Sequence, residues 1–78
     1  MVTRELSESD AAEIAAAETL LIEKAVKNHG TAQVKRQNTP EGERAWRLTV
    51  AAADHLETFG HGKARYPAFG VLEYEHWA

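Results

Sequence analysis

From Ala11 to Val26 the apolar residues recur at three- and four-residue spacings. Projected at ~100° per residue, Ala11, Ile14, Ala15, Leu21, Ile22, Ala25 and Val26 share one broad stripe. The spacing predicts a core-facing helix, opened by the hydroxyl of Ser7 or Ser9 and stopped near Asn28 or His29 by Gly30. Lys24 and Lys27 near its end suit the helix macrodipole, and Glu23 with Lys27 forms an i,i+4 pair. Two residues break the pattern. Glu18 lies in the middle of the stripe, and Leu20 lies on the polar side.

Beyond Gly30 the period changes. Trp46, Leu48 and Val50 alternate with polar residues, and Thr39-Pro40-Glu41-Gly42 carries proline and glycine where a tight turn wants them. Together they predict a β-hairpin over Thr31–Val50. Its register sets Arg36 opposite Trp46, Val34 opposite Leu48 and Ala32 opposite Val50 on the inner face. Gln37 then opposes Ala45, Lys35 opposes Arg47 and Gln33 opposes Thr49 on the outer face. A short helix over Ala51–Phe59 follows, with Leu56 and Phe59 as its buried pair and Gly60 as its stop. Gly60–Pro67 reads as a flexible basic loop. Val71–Trp77 alternates again, with Leu72, Tyr74 and His76 on one side, and predicts a third strand. The expected class is α+β in the order α-β-β-α-β, one long N-terminal helix packed on a small, mainly antiparallel three-stranded sheet.

Length permits one domain, residues 1–78, with 1–6 expected as a flexible N-terminal segment. A chain of 78 residues has a small core, so single core contacts weigh heavily. The absence of cysteine excludes disulfides, thiolate metal sites and thiol nucleophiles. Apolar runs are interrupted by charge within a few residues, and the first residues lack a signal-like apolar stretch. No membrane span and a cytoplasmic location are therefore expected, and abundant alanine suggests a bacterial or phage source. The net charge of −3 conceals polarity: residues 1–23 balance to −5, whereas residues 24–65 balance to +4. The acids of the first block suit a helix N-terminus. The basic middle favours oriented docking.

Candidate chemistry is sparse. His55, His61 and His76, with Asp54 or Glu75, offer metal-ligand types, but their spacing joins separate elements, and neither a metal nor a cofactor is expected. Glu18 on an apolar stripe must find a partner or reach the rim, because an unpaired buried carboxylate costs several kcal/mol. Without a companion nucleophile or oxyanion donor it reads as a residue ion-paired to a cation such as Arg36 or Arg44, or reaching the rim beside small alanines, and no catalytic residue is assigned. Gly60-His61-Gly62-Lys63 hints at an anion nest but lacks the leading glycine and the Ser or Thr of a phosphate loop. At the C-terminal end Tyr74 and Trp77 cannot both point inward, so one is expected at the surface.

The outer hairpin face carries most of the functional expectation. Lys35, Arg47, Gln33 and Gln37, joined by Lys63 and Arg65 of the basic loop, form the candidate partner-binding set. The reading is a non-enzymatic binding module, a regulator or inhibitor acting on a protein or protein–nucleic-acid complex. The alternative is a regulator that contacts nucleic acid directly through the same basic face and the 60–65 loop.

Overall fold

The computed structural model of the protein describes residues 8–77. Helix α1 (Glu8–Lys27) leads to strand β1 (Thr31–Lys35), helix α2 (Pro40–Thr58) and a closing hairpin of β2 (Gly62–Ala68) and β3 (Val71–His76). All strand pairings are antiparallel, in the order β1-β3-β2, so the last strand lies in the centre. The class is α+β, as expected, with a long N-terminal helix on a three-stranded antiparallel sheet. The expected Ser7 cap and the 1–6 segment lie outside the described residues.

The long stripe does form α1. Ile14, Leu21 and Ala25 are buried, Ile22 is half-buried, and Ala11, Ala15 and Val26 stay exposed. The helix ends in a left-handed turn in which the Gly30 N–H donates back to the Ala25 carbonyl at 2.6 Å. Two successive residues take positive φ at this corner, His29 at 63° and the expected stop Gly30 at 107°.

The middle of the chain is where expectation and structure part. Thr31–Lys35 is a strand, but its partner is β3, and the segment expected as the hairpin's second strand belongs to a 19-residue helix. The same four residues that look like a turn serve as a helix start. Thr39 is the N-cap, its hydroxyl accepts the Gly42 N–H at 2.9 Å, Pro40 fills the first turn, and Glu41 and Glu43 complement the positive helix end. Gly42 is helical and serves a steric need: a Cβ there would strike Gln37 and the Thr39 hydroxyl. The opposition of Lys35 and Arg47, and of Arg36 and Trp46, is therefore absent. The expected helix over Ala51–Phe59 is the second half of α2, and it ends at Gly60 (φ 80°), where the His61 N–H returns to the Leu56 carbonyl at 2.8 Å. Leu56 is buried as expected, but Phe59, expected as its buried partner, is 72% exposed.

Gly60–Pro67, expected as a loop, is largely strand β2. Gly62 begins it because the Tyr74 ring crosses the backbone there; a Cβ would lie 2.5 Å from the Tyr74 hydroxyl and collide with the Glu75 carbonyl. Direct pairing places Ala32 and Ala64 beside Tyr74, and Val34 beside Leu72, on the face that meets the helices. Tyr74, Leu72 and Leu21 fill the core with Ala52, Ala53 and Leu56 of α2, while Trp46 packs half-buried against it. The expected faces of β3 are the observed ones: Tyr74 is buried and Trp77 is 47% exposed.

Candidate functional site

The six residues of the candidate binding set divide between two surfaces. Gln33, Lys35, Lys63 and Arg65 share the open sheet face, opposite the helices. That face is not simply basic. Central strand β3 contributes Glu73 and Glu75, with Lys63 directly beside Glu75, Gln33 and Arg65 flanking Glu73, and Arg65 bonded diagonally to Glu75 at 2.9 Å. The acids neutralise most of the charge that the sequence alone assigns to it. Gln37 sits in the connection before α2, and Arg47 stands on α2, 78% exposed.

A different surface gathers three of the six aromatic residues, Trp46, Tyr66 and Phe69. Strand β2 slips by one register position between Arg65 and Ala68, and the hairpin turns at Phe69-Gly70, where Gly70 takes φ of 75°. The slip and turn display Tyr66 and Phe69, 52% and 94% exposed. Trp46 and Val50 of α2 join Tyr66, Ala68 and Phe69, with Arg36 and Gly70, as the lining of one open groove. Two further hollows adjoin it: one past Phe69 reaches Lys35 and Asn38, and one beside Tyr66 runs along α2 from Glu43 past Arg47 to Asp54.

Charge along the groove is ordered. At the Phe69 end the Arg36 guanidinium lies 5.8 Å from the Phe69 ring centroid and donates from Nε to Glu43 Oε1 at 2.8 Å. The second Glu43 oxygen is 3.5 Å from Arg47 Nε, so one carboxylate serves two guanidiniums. Beside Tyr66 the sign reverses. Partial burial, then the nearby charges of Asp54 and Glu57, push its phenol above the ordinary value. Glu57 also accepts the backbone N–H of Ala64 at 3.3 Å, which blunts the free edge of β2.

His55, His76 and Glu18 are committed elsewhere. Glu18 has its partner in His55 on α2, Oε2 to Nδ1 at 3.2 Å, whereas Arg44 pairs with Glu13 and Arg36 with Glu43. The buried Tyr74 hydroxyl donates to the His61 carbonyl at 3.3 Å, and His76 Nδ1 lies 2.8 Å from the Tyr74 hydroxyl oxygen. Burial, reinforced by the charge of Glu18, raises the Tyr74 pKa. Among the described residues no three His, Asp or Glu side chains gather as a metal-binding group. Gly60 and Gly62 are occupied by the helix stop and the Tyr74 crossing, which leaves no anion nest at His61. No described helix is long and apolar enough to cross a membrane.

Sequence reasoning missed the groove because its walls come from α2 and from a hairpin about twenty residues later. The signal that was present is Tyr66-Pro67-Ala68-Phe69-Gly70: two aromatics bracketing a proline and followed by a turn glycine. No protein-family model, curated protein or solved structure matches the chain.

Proposed function

We propose that the chain is a small non-enzymatic binding module, of bacterial or phage origin and cytoplasmic, that regulates or inhibits a macromolecular partner by surface contact through the aromatic groove. One observation carries the reading: exposed Phe69 and Tyr66 share one groove with the half-buried Trp46 and with Arg36. Tryptophan, tyrosine and arginine are the residue types that dominate binding energy at protein interfaces. Exposed apolar side chains clustered into one patch mark a contact surface more strongly than the same side chains scattered singly. Of the residues singled out from sequence, Lys35 and Arg47 border this groove, and Gln33, Gln37, Lys63 and Arg65 serve as a periphery. Direct nucleic-acid contact through the sheet face has weaker support, because Glu73 and Glu75 run down its middle.

The test is site-specific photo-crosslinking in lysate of the source cells. A photoreactive phenylalanine analogue at position 69 should capture one dominant macromolecule, and the same analogue at position 20 on α1 should not. Equal capture from both positions, or none from position 69, refutes the groove as the contact surface.

A further inference from the structure

The order of charge along the groove specifies what kind of segment fits it. We infer, resting on the groove being the contact surface, that its occupant is an extended protein segment with an aromatic or large aliphatic anchor, a carboxylate on one side and a cation on the other. The basic end holds Lys35, Arg36 and Arg47 against the single carboxylate of Glu43. The opposite end holds Asp54 beside Tyr66, with Glu57 three residues further along α2 and bonded to the Ala64 N–H of β2. From Glu43 to Asp54 the helix rises roughly 16 Å, the span of about five extended residues. An acid and a base separated by that distance, with an apolar side chain between them over Trp46 and Val50, meet complementary groups along the whole groove.

A nucleic-acid strand is the poorer fit. It carries the same charge at every step, so phosphates drawn to Arg36 and Arg47 force others against Asp54 and Glu57. The aromatics alone would stack bases. The acids at one end argue for a bipolar peptide instead.

Random 12-residue peptides displayed on phage supply the probe, with a 15-nucleotide oligo-dT as the second arm. Enriched peptides should carry an aromatic or large aliphatic residue with Asp or Glu on one side and Lys or Arg on the other. A synthetic representative should lose at least tenfold in affinity, ~1.4 kcal/mol, on the Tyr66→Ala, Phe69→Ala double variant. These side chains are exposed, so circular dichroism should report an unchanged fold. Selection against Lys35→Glu with Arg47→Glu should replace the acidic preference by a basic one. Groove-dependent peptides without a charge pattern, or with acids on both sides, overturn the bipolar occupant and leave the groove reading standing. Oligo-dT that binds more tightly than any selected peptide, and only while Tyr66 and Phe69 are present, assigns the groove to nucleic acid instead. Peptides indifferent to Tyr66 and Phe69, or no enrichment over the double variant, overturn both readings.

Discussion

Replacing Gly62 by alanine adds one methyl group at the place where the sheet can least accept it. The new carbon would lie 2.5 Å from the Tyr74 hydroxyl and 2.6 Å from its Cε1, and would also meet the Glu75 carbonyl. The ring is fully buried, so it cannot swing into solvent, and the carbonyl belongs to the neighbouring strand. Forcing a methylene into a packed site costs about 1–3 kcal/mol. Displacing the Tyr74 hydroxyl from the His61 carbonyl and His76 Nδ1 adds about 1 kcal/mol for each bond lost. The total, roughly 3–5 kcal/mol, compares with a whole folding free energy of roughly 4–12 kcal/mol for a chain this size. Urea unfolding followed by circular dichroism is the assay. With a slope near 1 kcal/mol per molar, the midpoint should fall by about 3 M or the fold should be lost. Lys63→Ala, one residue along on the open face, should stay within about 0.5 kcal/mol of wild type. Adding Tyr74→Leu to Gly62→Ala should recover part of the loss relative to the two single variants combined, since the ring is one of the two obstacles. A Gly62→Ala midpoint within a few tenths molar of wild type would falsify the close approach of β2 and the Tyr74 ring.

Gly42→Ala should destabilise by about 1–2 kcal/mol, although glycine-to-alanine in a helix ordinarily stabilises, because the Cβ would come within 2.8 Å of the Gln37 carbonyl and 2.9 Å of the Thr39 hydroxyl; a rise in urea midpoint contradicts this. His29→Gly should raise the melting temperature by a few degrees, relieving up to about 1 kcal/mol of left-handed strain at φ 63°; a fall shows that the imidazole contributes more than the backbone loses. The raised Tyr74 pKa makes stability pH-dependent on the alkaline side: the neutral phenol is favoured in the fold, so its contribution is complete below the unfolded value near 10 and is lost as pH rises through the folded value. Tyr74→Phe should therefore lower stability by about 1–2 kcal/mol at neutral pH through its lost bonds, yet decline less steeply above pH ~10. An alkaline limb as steep as wild type's assigns the loss to other groups, Tyr66 among them.

Helix α1 and strand β3 were legible because each has one period and clear punctuation. Leu72, Tyr74 and His76 alternate cleanly, and Glu18 was right in needing a partner, though that partner is His55 rather than an arginine. Helix α2 was not legible because its residues satisfy two periods. Trp46, Leu48 and Val50 alternate as in a strand, but Trp46, Thr49, Val50 and Ala53 recur as on a helix face, and Thr39-Pro40-Glu41-Gly42 suits a turn or a cap equally well. Only context decides, and the unbroken run from Glu43 to Phe59 without glycine or proline was the cue for a helix. Strand β2 carries no apolar alternation; its Gly62 and Ala64 are small because Tyr74 crosses above them, a tertiary reason invisible along the chain. The cross-strand opposition of Lys35 and Arg47 does not exist, yet the two line the hollows that adjoin the groove, Lys35 beyond Phe69 and Arg47 along α2.

The central position of β3 has a consequence for how the chain reaches this structure. Thr31 pairs with Glu75 and Lys35 with Val71, so β1 lacks this neighbour until β3 has left the ribosome. Until then Ala32 and Val34 have nothing to zip against, and Ile14, Leu21 and Leu56 lack the Leu72 and Tyr74 that complete their core. A nascent chain halted at Gly60 can form two helices but no sheet. Closing loops of that length slows folding relative to a meander of neighbouring strands. Arrival of Val71–His76 therefore converts two loosely associated helices and two unpaired segments into a cooperative unit in a single step.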